Sequence, residues 1–116
     1  MAAPYVVNLV INTDTTFTQI FSLSGDNGAS LNLSDYQISS QLRKHPQSNS
    51  YVNFITTAVS PTSSGVIKIS LPPESTTNLK TGRYVYDIII TNIVSGEKQR
   101  VIEGSAIVSK SITRSS

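Results

Sequence analysis

The chain has 116 residues, 38% hydrophobic and 14% charged, with a formal net charge of +2; that length suits one domain with a two-layer core, and the composition excludes a disordered chain. It holds no cysteine, which excludes disulfides, thiolate metal sites and cysteine nucleophiles. No apolar run approaches the roughly 20 residues of a spanning helix and no basic-then-apolar leader precedes a cleavage site, so a soluble chain made in a cytoplasm, with no membrane partner, is expected.

Serine and threonine, 19 and 12 residues, take the place of the missing charge. They suit the solvent-facing positions of strands and also a surface that spends its time against other proteins, since interface cores are depleted in charge. The charges are unevenly laid out. Residues 1–42 hold Asp14, Asp26 and Asp35 and no Lys or Arg, whereas residues 43–116 hold all nine basic groups and four acids. Head-to-tail contact between an acidic and a basic end is one explanation; chance scatter of few charges is the other.

In chain order, residues 1–4 form a small-residue arm. Tyr5, Val7, Leu9 and Ile11 then alternate with Val6, Asn8, Val10 and Asn12 as a first strand. Phe17, Phe21 and Leu23 line a second strand, which ends at Ser24-Gly25-Asp26-Asn27-Gly28, a turn with an Asn-Gly step of the hairpin type. Leu31 and Leu33 bracket a short extended piece. Tyr36, Ile38, Ser40 and Leu42 alternate cleanly with Gln37, Ser39, Gln41 and Arg43, the pattern of a half-buried strand. After a loop at 44–50, Val52, Phe54 and Ala58 supply the next inner face, and Ile67, Ile69 and Leu71 follow beyond a turn at 60–65. Pro72-Pro73 cannot continue that strand and predicts one helical turn, with Leu79 tucked inward.

Gly82–Thr91 is the longest run of β-branched and aromatic residues. Its even positions Tyr84, Tyr86, Ile88 and Ile90 make one apolar face. Its odd face, with Val85 and Ile89 among polar residues, is apolar enough to predict a central strand with something covering its second side. A turn at 94–97 precedes a last strand from about Lys98 to Val108. There the inner residues change parity between Val101 and Ala106, which predicts a bulge at Gly104. Residues 109–116 form a polar arm around Ile112. Seven to eight short strands with no ordinary amphipathic helix predict an all-β, antiparallel two-sheet sandwich, with a small β-barrel as the alternative.

No catalytic constellation accompanies this pattern. His45 is the sole histidine and its neighbours Arg43 and Lys44 are cations, so a solvated loop residue is expected rather than a base or metal ligand. The same basic cluster, with only Tyr51 near it, is too little for nucleic-acid binding. Asp26, Asp35 and Asp87 form no catalytic pair, and Asp26-Asn27-Gly28 lacks the rest of a calcium loop. A chain with no enzymatic activity, no cofactor, no metal and no nucleic-acid partner is expected. Leu79 to Tyr86 also resembles the corner leading into the sixth strand of immunoglobulin-like sandwiches, with Gly82 at the turn and Tyr84 as the tyrosine whose hydroxyl bonds back to the backbone.

Several segments together resemble small virion proteins of tailed bacteriophages, of the contractile-tailed, T4-like and cyanophage kind. They are Leu31-Asn32-Leu33-Ser34-Asp35-Tyr36 with Gln41-Leu42-Arg43, Gly65 to Leu71, Thr77 to Asp87, Gly96 to Gly104 and Ile112-Thr113-Arg114, covering most of residues 16–114. The resemblance implies an immunoglobulin-like sandwich in the neck, tail or baseplate of a virion, without enzymatic activity and in contact with other virion proteins, as a homo-oligomer, ring or lattice. A capsid-decorating protein and a carbohydrate- or receptor-binding module are the alternatives. The second would need exposed aromatics on a groove, whereas the five tyrosines mostly fit inner positions. From the residues themselves, Val6, Val10, Val85, Ile89 and Ile107 fall on the face opposite the core and predict an outward apolar patch. With the arms at 1–4 and 109–116, which include Ile112 and Arg114, they make the expected docking surface.

Overall fold

A computed structural model describes residues 5–23, 32–110 and 112. Among them are nine strand segments: β1 (Tyr5–Val6), β2 (Leu9–Asn12), β3 (Phe17–Ser22), β4 (Tyr36–Arg43), β5 (Tyr51–Asn53), β6 (Ile55–Ala58), β7 (Val66–Leu71), β8 (Gly82–Asn92) and β9 (Lys98–Ser109). One helical turn, α1 (Pro73–Thr77), stands where the two prolines predict it. The larger sheet runs β1-β9-β8-β4-β5, with β2 also on β9, and the smaller runs β3-β7-β6. The predicted sandwich is therefore present and immunoglobulin-like, with β3, β7 and β6 in one sheet and β4, β8 and β9 in the other; β5 is added at one edge of the larger sheet, and the first strand lies at its other edge on β9 rather than in the smaller sheet.

Burial follows the strand period. Tyr86, Ile88 and Ile90 of β8, with Leu42 beside them on β4, share one core with Ile67, Ile69 and Leu71 of β7 in the other sheet. Phe54 closes it from between β5 and β6, its ring 5.8 Å from Phe17 and 6.2 Å from Tyr86. At Phe54 the chain changes sheets, because β5 pairs with β4 and β6 pairs with β7. Leu79 packs against the core, as expected. The predicted corner is present too: Gly82 has φ +139° and the Tyr84 hydroxyl donates to the Lys80 carbonyl at 2.8 Å.

Four expectations change. The first strand is two segments, and both pair parallel to β9, so this edge departs from antiparallel pairing. The count among the described residues is nine rather than seven to eight because the first strand breaks at Val7-Asn8 and the stretch from Val52 to Ala58 breaks at Phe54. The hairpin-type turn at 24–28 lies outside the described residues, but β3 and β4 on either side belong to opposite sheets, so that connection is a crossover. The bulge is at Val101 rather than Gly104: Ile88 pairs with Ile102 and Ile89 with Arg100, which leaves Val101 unpaired and turned inward beside Ile102.

Gly104 sits in regular register opposite Tyr86 and serves a different purpose. A Cβ there would lie 2.1 Å from the Val7 carbonyl oxygen, because the break between β1 and β2 brings that carbonyl down onto β9. The Tyr86 side chain passes over the space that Gly104 leaves and donates its hydroxyl to the same oxygen at 2.6 Å. Val7 N donates to Glu103 O at 2.9 Å, and the Asn8 side-chain oxygen accepts from Ser105 N at 3.1 Å. Both backbone groups of Val7 and the side chain of Asn8 are thus bonded at the kink.

Gly104→Ala forces backbone apart where no flexible side chain can yield, so a loss of about 3 kcal/mol or more is expected in chemical denaturation. A variant as stable as the parent would show that the contact relaxes freely. Burial pushes the Tyr86 phenol up to about 12. Its folded pKa then lies above the unfolded value near 10, so the stability it contributes is complete below that value and lost as pH rises from about 10 to 12. One tyrosine of the five should titrate late in an ultraviolet pH titration, and Tyr86→Phe should remove that step and flatten the alkaline loss of stability.

Candidate interaction surface

The residues predicted to face outward share one side of the larger sheet. Val10 lies beside Ile107 in register, and Ile107 beside Arg83. One row on, Ser105, Val85, Arg43 and Tyr51 align across β9, β8, β4 and β5. The next row is Val6, Glu103, Asp87, Gln41 and Asn53, followed by Arg100, Ile89 and Ser39. Val6, Val10 and Ile107 are exposed, by 71%, 61% and 49%, while Val85 and Ile89 are half-buried. The row of Glu103 and Asp87, which Val6 ends, separates Ile89 from Val10, Val85 and Ile107, so the patch is not one continuous apolar area. Ile112 is fully exposed, and Arg114 and the arm at 1–4 lie outside the described residues.

Arg100, from the next row, partly offsets the two carboxylates of that row. Arg100 Nε stands 3.4 Å from Asp87 Oδ2 and its Nη1 stands 3.7 Å from Glu103 Oε1. Both contacts are long and the guanidinium is half exposed, so they add little to stability. Burial raises the pKa of the Asp87 carboxyl above its usual value; Arg100 lowers it, Glu103 raises it and Arg43 lowers it. A partly buried carboxylate in mid-sheet is a poor choice for stability alone.

The loop after β4 makes a wall for this row. Arg43 donates to the Ser48 carbonyl and, at 2.7 Å, to Gln41 Oε1, and its guanidinium lies 4.6 Å from the centre of the Tyr51 ring. Ser48 N donates back to His45 O at 2.9 Å. The result is a groove of about 800 Å³ with Val85, Asp87 and Ile89 on its floor, Pro46 to Asn49 on one side, and Arg100, Glu103 and Ser105 on the other. Lys44 does not join it; its ammonium lies 4.8 Å from the centre of the Tyr84 ring at the corner.

The strand period put Val6, Val10, Val85, Ile89 and Ile107 on the side of the sheet opposite the core, where the register has them, but it gave no sign of the groove, because a loop rich in Ser, Asn and Gln does not show where it folds. It also placed the tyrosines mostly inside. Tyr86 is buried, and Tyr36 and Tyr84 pack partly against the core, but Tyr5 and Tyr51 are 62% and 50% exposed. Tyr51 projects outward because it pairs with Arg43, on the side opposite Leu42. No group of three or more metal-binding side chains exists among the described residues.

No protein-family model matches the chain, and a search of curated proteins finds no relative. Solved structures do share its shape. The N-terminal domain of phage TP901-1 ORF48 superposes with a TM-score of 0.53 at 13% identity, over 92% of this chain and 98% of that one. Listeria monocytogenes InlP matches at 0.48 and 14% identity, over 89% of this chain, which spans about a quarter (26%) of that protein. The NK cell receptor Nkp44 matches at 0.45 and 10% identity, over 93% of this chain and all of that one. At such identities the likeness shows the fold.

Arg100→Ala would remove the cation that holds the Asp87 pKa down and leave Glu103, which raises it. A carboxyl whose folded pKa lies above the unfolded value favours the folded state most when protonated, and that contribution is lost as pH rises through the folded value. The variant should therefore lose more stability than the parent between acid and neutral pH, by up to about 1 kcal/mol. The Asp87 carboxyl should titrate at higher pH by carbon NMR; an unchanged titration would show that Arg100 does not act on it.

Proposed function

We propose that this chain is a non-enzymatic structural subunit of a bacteriophage virion, placed in the neck, tail or baseplate and acting through contacts with other virion proteins. The observation that carries this is the outer face of the larger sheet. It leaves Val6, Val10 and Ile107 in water along an edge whose outer strands, β1 and β2, carry no charge. The two strands are too short to invite pairing along the edge itself, so the contact surface is the face: exposed aliphatic side chains on one side of a sheet suit a surface covered by a neighbour.

The phage setting draws support from the segments quoted from the sequence and from the fold shared with a phage protein domain. The narrower assignment to contractile-tailed phages rests on those segments alone. A capsid-decorating subunit would use the same face on a shell lattice. The groove favours a second reading, as a carbohydrate-binding module, since paired carboxylates and guanidiniums beside Gln47 and Asn49 can both donate to and accept from hydroxyls.

Mass spectrometry of purified particles, with gold labelling of a tagged chain, tests the proposal. The expected result is a label at the neck, tail or baseplate, reduced when Val10→Asp and Ile107→Asp are combined. Label spread over the head would favour the decorating subunit. Absence from particles, together with selective signals on a glycan array, would replace the structural reading with the binding module.

A further inference from the structure

Strand direction sorts the exposed groups between two ends of the domain. β8 runs from Gly82 to Asn92, and Tyr36 at the start of β4 pairs with Asn92, so the β8–β9 turn and the start of β4 lie at one end. The corner at Gly82, the loop after β4 and Lys110 beyond β9 lie at the other.

The first end carries an apolar knob. Ile93 and Val94 at the turn between β8 and β9 are 57% and 83% exposed. The turn is tightly held: the Asn92 side-chain oxygen accepts from Val94 N at 2.9 Å and Ser95 N at 3.1 Å. Gly96 N donates to Asn92 O at 2.7 Å, and Ile93 N donates to Asp35 O at 2.9 Å. A turn bonded in this way presents its two aliphatic side chains already ordered, so seating them costs little conformational entropy. Asp35 and Glu97 stand beside the knob, with Lys98 as the cation.

The second end carries a hollow of about 470 Å³ bordered by Leu79, Thr77, Thr81, Lys80 and Lys110, with Asp14 as its one acid. Asp14 is occupied, accepting from the Thr77 hydroxyl at 2.8 Å. Lys44 and Arg83 add positive charge at this end. An apolar knob flanked by acids and a hollow flanked by lysines are complementary in shape and sign.

We propose that the occupant of the hollow is a second copy of this chain, with the Ile93–Val94 turn of one copy seated against Leu79 of the next and Glu97 and Asp35 facing Lys80 and Lys110. This rests on the reading of the chain as an assembly subunit and names one of its partners. Knob-to-knob pairing would bring the acids of two copies together, so the contact is heterologous and generates a ring or an open stack. A cross-section of 30 × 22 Å limits it to roughly 650 Å² per partner, below the ~800 Å² of a standard interface. Isolated copies associate weakly, and the contact persists where a scaffold holds copies close together.

The natural chain lacks cysteine, so a Val94→Cys, Thr81→Cys double variant is a clean probe. Oxidised at high concentration it should give a ladder of dimers, trimers and longer products, whereas each single variant stops at dimers formed more slowly. Glu97→Lys or Lys80→Glu should each suppress the ladder, and the two together should restore it. In sedimentation velocity on the cysteine-free chain, Val94→Asp should weaken self-association by about tenfold or more. Val94→Cys alone cross-linking as fast as the pair, or no ladder at any concentration, would overturn the contact. The chain recovered in particles but giving no ladder would overturn this contact and leave the virion reading standing. A ladder from a chain absent from particles would do the reverse.

Discussion

Everything at the first edge of the larger sheet depends on one carbonyl. The break at Val7-Asn8 turns the Val7 oxygen toward the core, where a buried acceptor without a donor would cost about 1–3 kcal/mol. Tyr86 supplies the donor, and Gly104 supplies the room for both. Three residues far apart in sequence are therefore chosen together. A side chain at 104 would displace the carbonyl, and a phenylalanine at 86 would leave it unsatisfied. A straight first strand would remove the need for either. The same contact fastens the first strand to β9 and, through Tyr86, to β8 beyond it in the same sheet, so the strands that carry Val6, Val10 and Ile107 outward are anchored on the inner side.

The two long hydroxyl reaches of β8 have different purposes. Tyr84 closes a local loop of four residues at the corner, and Tyr86 closes one of 79 residues to the first strand. One sets the angle at which the central strand enters the sheet. The other fastens the edge of the sheet to its centre. Both leave the odd-numbered side of β8 to Val85, Asp87 and Ile89, which make the floor of the groove and contribute little to the core.

What was legible in the sequence was what the period of two controls. Tyr36 to Leu42, Ile67 to Leu71 and Tyr84 to Ile90 read directly as buried faces, and the corner read from Gly82 and Tyr84. The parallel pairing of the first strand was not legible, because Val, Leu and Ile in alternation suit either direction. Gly104 was misread for a reason of the same kind. A glycine in a strand signals either a bulge or the close approach of another backbone, and the parity change at Val101–Ile102 fell near enough to suggest the wrong one. The groove was hidden in a loop whose polar residues have no period. The turn at 94–97 was legible, but nothing in the sequence showed that Ile93 stands beside it in water or that the Asn92 side chain holds it in place.

Parallel pairing of the first and last strands has a mechanical consequence. β1 and β2 enter at one end of the domain and β9 leaves at the other, so tension applied through the two ends of the chain pulls these neighbours in opposite directions along their shared length. The hydrogen bonds from Tyr5 to Asn12 are then loaded together, in shear, rather than broken one after another as in a peeled hairpin. Resistance to such a force is set by the barrier to unfolding and not by the equilibrium stability. The Val7 carbonyl, held between Gly104 and Tyr86, lies within that shared length and adds a side-chain bond to those under load.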